Sequence, residues 1–223
     1  MSLSNRLGTA AGLDKDGDYI DCLGALGFGF LEVGTVTPLA QFGNPKPRVF
    51  RIFKEKAVIN RLGFNNKGVD YLVKRLKNRK YKGIVGVNIG ANKNSKDQKR
   101  IDDYIECFRK VYKYSDYITV NISSPNTPGL RDLHDLDNIK NLILNIENEA
   151  KLNNFNRPIF LKISPDESAE TIKSIADLIN LSNLTGLIIS NTTIDKEILH
   201  DKKNIHIDGG LSGAPLMKKS TEI

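Results

Sequence analysis

Six short apolar runs recur along the chain, and a stretch with helical periodicity follows most of them. The runs span residues 7–11, 30–33, 84–88, 117–121, 159–163 and 187–190. They are almost continuously apolar rather than alternating, which is typical of strands in a parallel sheet that is covered on both faces. The repeated order of strand and helix predicts an α/β fold.

The segments between these runs place apolar residues at i, i+3, i+4 and i+7, which predicts helices that bury one face. These stripes begin at Val69, Ile101, Ile139 and Ile172. Ser168 is a suitable N-cap for the last of these helices, and Gly27 can end the first helix of the chain in the left-handed conformation.

Residues 45–60 interrupt the alternation of strands and helices. Two β-rich segments, 48–53 and 57–60, flank the polar sequence Lys54-Glu55-Lys56. This pattern predicts a β-hairpin, inserted between the second and third strands and covering one end of the sheet.

Polar side chains stand at the carboxyl end of almost every predicted strand. They are Asp14, Lys15, Thr35, Asn88, Asn121, Lys162, Asn191 and Thr192. A (β/α)8 barrel collects its chemistry from many strands at that face, whereas a doubly wound sheet concentrates it at one switch point. The distribution therefore favours a (β/α)8 TIM barrel.

The number of strands is too small for a complete barrel. A barrel needs eight strands and typically about 250 residues, but this chain has 223 residues and six predicted strands. A glycine-rich segment, 209–213, and the start of a helix follow the sixth strand. We therefore expect one domain over residues 1–223, truncated after the sixth strand.

The composition excludes several classes of protein. The net charge is +7, and the hydrophobic fraction of 39% indicates a globular chain. The two cysteines, Cys22 and Cys107, exclude a disulfide scaffold, and both are expected in the core. The histidines lack metal-ligand spacing, so no metal site is predicted. The basic residues lack interleaved aromatic residues, which argues against nucleic-acid binding. They are therefore expected on the solvated surface or against a membrane.

Three loops are rich in side-chain amides and hydroxyls: residues 60–66, 121–131 and 190–193. Amides offer both donors and acceptors, so several of them in one pocket suit a planar ring with alternating C=O and N–H groups, such as a pyrimidine. Lys15 and Lys162 stand at strand ends, where a buried ammonium group is costly unless a ligand or a carboxylate meets it.

Five segments together resemble the class 2 dihydroorotate dehydrogenases. They are NRLGTAAGLDKDG at 5–17, EVGTVTP at 32–38, NRLGFNN at 60–66, NISSPNTPG at 121–129 and SNTT at 190–193. The similarity extends from about residue 5 to the end of the chain. It implies an FMN-containing barrel that oxidises dihydroorotate to orotate in pyrimidine (UMP) biosynthesis. Hydride passes to FMN, and electrons then pass to a membrane quinone.

The resemblance also implies roles for individual residues. Ser124 would be the catalytic base, Thr127 would help to pass the proton outward, and Phe64 would shield the site. The loop contains no cysteine, the base of class 1, which favours class 2. The substrate would be held by Lys15, Asn60, Arg61, Leu62, Gly63, Phe64, Asn121, Asn126, Asn191 and Thr192. FMN would be held by Ala11, Gly12, Lys15, Thr35, Asn88, Asn121, Lys162, Ser190 and Gly213.

The sequence departs from the family pattern at three points. Ser190 stands where the family has threonine. The last two strands with the FMN-phosphate loops, and the N-terminal helical extension for quinone and membrane contact, are expected to be missing. The resemblance implies a peripheral membrane protein, with the cytoplasmic face of a bacterial inner membrane favoured over the mitochondrial inner membrane.

Two other functions stay open at this point. The first alternative is another FMN-dependent pyrimidine reductase, which would use a cysteine base or a nicotinamide partner. The second alternative, which is not an enzyme, is an inactive or fragmentary barrel that serves as a binding module.

Overall fold

A computed structural model describes residues 2–123 and 136–223 of the chain. Its strands are β1 (Phe30–Val36), β2 (Val49–Ile52), β3 (Ala57–Asn60), β4 (Ile84–Ile89), β5 (Tyr117–Asn121), β6 (Ile159–Lys162), β7 (Gly186–Ile188) and β8 (Gly210–Gly213). Its helices are α1 (Ile20–Gly24), α2 (Val69–Asn78), α3 (Asp97–Val111), α4 (Leu136–Leu152), α5 (Ala169–Asn180) and α6 (Ala214–Glu222).

The main sheet is parallel, and its strands follow one another in the order β1-β4-β5-β6-β7. Helices α2 to α5 connect successive strands, so the described chain advances around the sheet in one direction without a switch point. This order agrees with the predicted (β/α) barrel and disagrees with a doubly wound sheet. Within residues 2–123 and 136–223 the sheet stays open at β7.

The predicted strand at 7–11 forms only a single parallel bridge, between Gly8 and Phe30. The segment still runs beside β1, because the Thr9 amide donates to the Phe30 carbonyl and the Glu32 amide donates to the Thr9 carbonyl. Gly12 then adopts a φ of +112° and turns the chain away. The prediction of a regular strand was therefore wrong, although the segment lies at the expected edge of the sheet.

The two faces of the parallel sheet differ in composition. Leu31, Val85, Ile118 and Leu161 belong to a large buried cluster with residues of α2 to α5. The alternate residues face the barrel interior: Phe30, Glu32, Gly86, Asn88, Tyr117, Thr119, Asn121, Phe160 and Lys162. Aromatic rings occupy the lower layer of this interior, and polar side chains occupy the layer at the carboxyl ends.

The local signals on the helices were mostly confirmed. The Ser168 hydroxyl accepts a hydrogen bond from the Thr171 amide and caps α5, and Gly27 has a φ of +85° shortly after α1. Cys107 is fully buried, but Cys22 is exposed on α1, so its expected burial was wrong. This helix is only five residues long, and of these only Ile20 is buried.

The predicted hairpin is confirmed, since β2 and β3 pair antiparallel from Val49 opposite Asn60 to Ile52 opposite Ala57. The glycine-rich segment after the sixth strand adds β8 to the other side of β3. Gly213 has a φ of +100°, and a Cβ atom there would lie 2.3 Å from the Lys56 carbonyl oxygen. This three-stranded sheet covers the carboxyl ends of the parallel strands.

Candidate functional site

A cavity of about 590 Å³ lies between the hairpin sheet and the carboxyl ends of the parallel strands. Its volume is within the range of ligand and cofactor pockets. Most of the residues predicted for the site line it: Ala11, Gly12, Lys15, Thr35, Asn60, Leu62, Gly63, Phe64, Asn121, Lys162, Ser190, Asn191 and Thr192. The fold therefore brings together residues that are up to 181 positions apart in the sequence.

The floor of the cavity is a buried network of hydrogen bonds between β1, β4 and β5. The Thr35 hydroxyl donates to Asn88 Oδ1 at 2.6 Å. The side-chain NH2 of Asn121 donates to Thr35 Oγ1 at 3.0 Å and to Asn88 Oδ1 at 3.2 Å. All three side chains are at most 3% exposed, so these bonds hold their orientation before any ligand arrives.

The same network continues to the loop after β7. Asn121 Oδ1 accepts from the Ser123 amide at 3.1 Å and from the Ser123 hydroxyl at 3.0 Å. The Ser123 oxygen in turn accepts from Asn191 Nδ2 at 3.0 Å, and Asn191 Oδ1 accepts from the Thr192 amide at 2.8 Å. One N–H of the Asn191 amide remains to serve a ligand acceptor.

Lys162 is a buried cation at the inner wall of the cavity. Lys162 is only 7% exposed. In the part of the chain that the structure describes, its ammonium group forms no hydrogen bond or ion pair. A buried, unpaired ammonium group is costly unless an acceptor meets it. This side chain therefore points to an anionic or electron-rich ligand in the cavity.

Lys15 is the second cation of the cavity, with its ammonium nitrogen 5.9 Å from the centre of the Phe64 ring. Burial is the main cause that lowers the pKa of Lys15 to about 8, and the positive charges of Arg48 and Lys162 lower it further, while Asp16 acts in the opposite direction. A group with this pKa gains or loses its charge close to neutral pH, as ligand-binding groups in clefts often do.

The loop that carries Phe64 is held by amides outside the cavity. Phe64 has a φ of +53°, which is uncommon for a residue with a side chain. The Gln41 side chain donates to the carbonyls of Gly63 and Phe64 at 3.1 and 3.0 Å, and Asn66 donates to the same Phe64 carbonyl at 2.7 Å. These bonds fix the unusual backbone and place the Phe64 ring over the cavity.

Three of the predicted binding residues lie elsewhere. Arg61 donates to the Pro47 carbonyl at 2.9 and 3.1 Å and stacks on Phe50 at 5.5 Å, so its guanidinium group does not line this cavity. Asn88 belongs to the floor network but is not among the residues that line the cavity, and Gly213 is at the end of β8, opposite Ala57. Ser124, Asn126 and Thr127 lie outside the described residues.

Several cavity residues escaped the sequence analysis. They are Ala10, Leu13, Val49, Arg51, Ser212 and Leu216. Val49 and Arg51 are two residues apart on β2 and therefore share a face of the hairpin. The alternation was readable in the sequence, but the face that meets the cavity follows only from the packing of the hairpin over the parallel strands.

The residues present fit a flavin with an anionic or electron-rich edge. Lys162 supplies an unpaired buried cation, and none of the described residues that line the cavity is acidic. At Gly12 a Cβ atom would meet nothing within 4 Å, so a planar group can approach the backbone there. The cavity therefore offers the charge and the open backbone that suit the ring of a flavin.

No helix among those that the structure describes is both long enough and apolar enough to cross a bilayer.

The comparison with protein families matches residues 1–223 to the family described as dihydroorotate dehydrogenase. Among curated proteins, the chain is 52% identical to dihydroorotate dehydrogenase (quinone) of Saccharophagus degradans and 51% identical to the protein of the same name from Mannheimia succiniciproducens. Both matches cover 100% of this chain and 67% of the relative.

Solved structures agree with this similarity. The crystal structure of DHODH from Eimeria tenella in complex with ferulenol is 38% identical, with a TM-score of 0.88 over 96% of this chain and 64% of that one. The ligand-free type of the same protein gives a TM-score of 0.87 at 37% identity, over 96% of this chain and 66% of that one. The chain therefore spans about two thirds of the length of its relatives, and the predicted barrel fold is confirmed.

Proposed function

Because the chain belongs to the dihydroorotate dehydrogenase family, we propose that it provides the catalytic barrel of a quinone-dependent dihydroorotate dehydrogenase, which oxidises dihydroorotate to orotate in pyrimidine biosynthesis. The names of the curated relatives support this activity. The observation that carries it is the cavity itself. Among the described residues its two lysines, Lys15 and Lys162, have no protein acceptor, and they lie beside preorganised amides in a lining without an acidic group.

FMN is the proposed cofactor, and when bound it supplies the acceptor for the substrate hydride. Lys162 would lie at its electron-rich edge and favour the reduced, anionic form electrostatically. The other proposed contacts come from the cavity wall: Ala11, Gly12, Thr35, Asn121 and Ser190. Ser190 keeps a hydroxyl in place of the threonine of the family pattern.

The substrate carboxylate is proposed to pair with Lys15, and the ring amides with Asn60, Asn121, Asn191 and Thr192. Asn191 has an N–H that is free of the internal network and lines the cavity, so it suits a ring carbonyl oxygen. Phe64 would exclude water from the same face, because its backbone is held over the cavity by Gln41.

Ser124 is the proposed base that takes the proton from substrate C5, with Thr127 passing it outward. Ser123 is a poor candidate for this role, because its hydroxyl proton is donated to Asn121 Oδ1 and its oxygen accepts from Asn191. A serine hydroxyl needs a proton relay to act as a base at neutral pH, which is the part assigned to Thr127.

The proposed electron acceptor is a membrane quinone, which implies peripheral association with a membrane. The names of the relatives specify quinone, and the net charge of +7 favours an anionic lipid surface. We propose the cytoplasmic face of a bacterial inner membrane as the site of this contact.

The test is to record the visible flavin absorption of the purified protein under anaerobic conditions, before and after adding dihydroorotate. We expect dihydroorotate to bleach the flavin and a soluble quinone to restore its colour. Ser124→Ala should slow the bleaching by at least about a hundredfold, as expected for loss of a general base. Ser123→Ala is the matched control and should retain a much larger share of the rate.

Three results would contradict this function. A protein that takes up no FMN, even when FMN is added, would favour the binding-module alternative. Bleaching by a reduced nicotinamide but not by dihydroorotate would favour another FMN-dependent pyrimidine reductase. Equal rates for Ser124→Ala and the unchanged protein would remove Ser124 from the mechanism.

A further inference from the structure

Glu32 is a buried acid inside the barrel that the proposed chemistry does not use. It is 5% exposed on β1, and its neighbours in the lower layer of the interior include the rings of Tyr117 and Phe160. In the described part of the chain no lysine or arginine forms an ion pair with Glu32. Its carboxylate instead accepts from Asn88 Nδ2 at 2.9 Å and from the Thr119 hydroxyl at 2.9 Å.

A buried carboxylate that contacts neutral groups contributes little to the free energy of unfolding, since an apolar residue of similar volume usually stabilises a protein as much or more. Glu32 lies one layer below the cavity, and its first contact toward the cavity is Asn88. The arrangement therefore calls for a role that an apolar residue cannot fill.

Donor and acceptor chemistry identifies that role. An ionised carboxylate only accepts, so the NH2 group of Asn88 must face Glu32 and its carbonyl oxygen must face upward. That oxygen is the acceptor for both the Thr35 hydroxyl and the Asn121 amide. At the far end the Ser123 backbone amide, which only donates, bonds to Asn121 Oδ1.

The network is thus held between two groups of fixed polarity, Glu32 below and the Ser123 amide above. Each amide between them has one orientation that satisfies both ends. A bond to an ionised acceptor is stronger than one between neutral groups, and neighbouring bonds in a buried chain reinforce one another.

We propose that Glu32 is a positioning residue, which anchors the Asn88 amide and through it holds Thr35 and Asn121 in the orientation that receives the ligand. This assignment rests on the proposed function for the identity of the ligand. The contact that matters is the oxygen that accepts from Asn88, and the contact with Thr119 is secondary.

The first test uses the protein without ligand. Hydrogen exchange of the Asn88 and Asn121 side-chain amides is followed by NMR in the unchanged protein and in three variants. Glu32→Leu removes the acceptor and should speed exchange at Asn88 by at least about tenfold. Glu32→Gln keeps an acceptor for Asn88 and can donate to the Thr119 hydroxyl, so exchange should stay within about threefold. Thr119→Val removes only the second contact and should also stay within about threefold.

The second test measures FMN affinity by titration of the flavin fluorescence. Glu32→Leu should raise the Kd by about tenfold or more, because Thr35 and Asn121 lose the neighbour that fixes their orientation before FMN binds. Glu32→Gln and Thr119→Val should bind FMN within about threefold of the unchanged protein. Urea unfolding of each variant separates lost affinity from lost stability.

Three outcomes would overturn the assignment. Unchanged exchange at Asn88 in Glu32→Leu would show that Glu32 does not hold this amide. Unchanged FMN affinity in a folded Glu32→Leu would leave Glu32 a purely structural part of the interior. Equal loss in Glu32→Gln and Glu32→Leu would mean that charge, rather than the acceptor oxygen, is required. If the unchanged protein binds no FMN, the proposed function fails, while the exchange measurement still decides whether Glu32 anchors Asn88.

Discussion

The floor and the walls of the cavity differ in how their polar groups are paired: among the described residues, those of the floor are hydrogen-bonded to one another and the cations of the walls are not. The floor amides, Asn88 and Asn121, satisfy most of their donors and acceptors within the protein. The wall cations, Lys15 and Lys162, have no hydrogen bond or ion pair in the described residues. Asn121 and both lysines line the same cavity, and Asn88, Asn121 and Lys162 come from the carboxyl ends of the parallel strands.

This difference separates two tasks of a binding site. The hydrogen bonds within the floor make it rigid, so the amides are in place before a ligand binds and lose little entropy when it does. The lysines keep their charge uncompensated, so the free protein is less stable and the bound state gains a strong interaction. Stability should therefore depend on the floor and not on the wall charges, whereas affinity should depend on the wall charges and on the orientation that the floor maintains.

The largest effect should come from removing the unpaired wall cation. Lys162→Met keeps the length of the side chain but deletes its charge, so FMN affinity should fall by about ten- to a hundredfold. The free energy of unfolding without ligand should stay the same or rise, because an unpaired buried charge is lost. Flavin fluorescence and urea unfolding measure the two quantities. Lys140→Met, on the exposed face of α4, is the control, and a marked loss of stability in Lys162→Met would contradict the distinction.

Breaking the floor should lower the stability of the free protein, which removing the wall cation should not. Asn121→Ala leaves the buried Ser123 amide without its acceptor and Thr35 without a donor, so the free energy of unfolding should fall by about 2–3 kcal/mol. Urea unfolding without ligand is the measurement. Asn145→Ala, where the amide bonds to Asn141 on the surface of α4, should change stability by less than about 0.5 kcal/mol. Equal losses in the two variants would argue against a stabilising floor.

The smallest effect should be the pH dependence of Lys15. Since the pKa of Lys15 is lowered to about 8, its charge is lost as the pH rises through that value, and orotate affinity should fall by several fold. Stability without ligand should change in the opposite direction. Between about pH 8 and the usual lysine pKa of 10.5 the unfolded chain binds more protons, so unfolding becomes less favourable as the pH rises.

Isothermal titration of orotate across this pH range measures the first trend, and urea unfolding measures the second. Lys15→Met should flatten both curves near pH 8. If this variant keeps the pH dependence of the unchanged protein, another group is responsible for it.

Much of the fold was predictable because the signals were local. The runs at 84–88 and 117–121 form β4 and β5, the stripe from Ile139 lies within α4, and the segments at 48–53 and 57–60 form the hairpin of β2 and β3. The helix cap at Ser168 also needs only a neighbouring backbone amide. In each case a short stretch of sequence contains both partners of the interaction.

The errors and omissions concern partners that are distant in the sequence. The segment at 7–11 lacks a full ladder, and β8 was missed, because its glycines give no strand signal and its partner Ala57–Asn60 is about 150 residues away. Arg51 was missed, and Arg61 bonds to Pro47 rather than lining the cavity. Only the packing of the hairpin over the parallel strands decides which side chains of this region face the cavity.

The sequence by itself determined most of the strand and helix order, the family, and the set of polar residues at the strand ends. Those features depend on residue type and on spacing along the chain, which the sequence states directly. The tertiary structure alone decided that Glu32 lies beneath Asn88, that the amides bond to one another, and that Lys162 has no acceptor among the described residues. Burial and hydrogen-bond partnership are properties of neighbours in space, and for these residues the neighbours come from strands that are 30 to 90 positions apart.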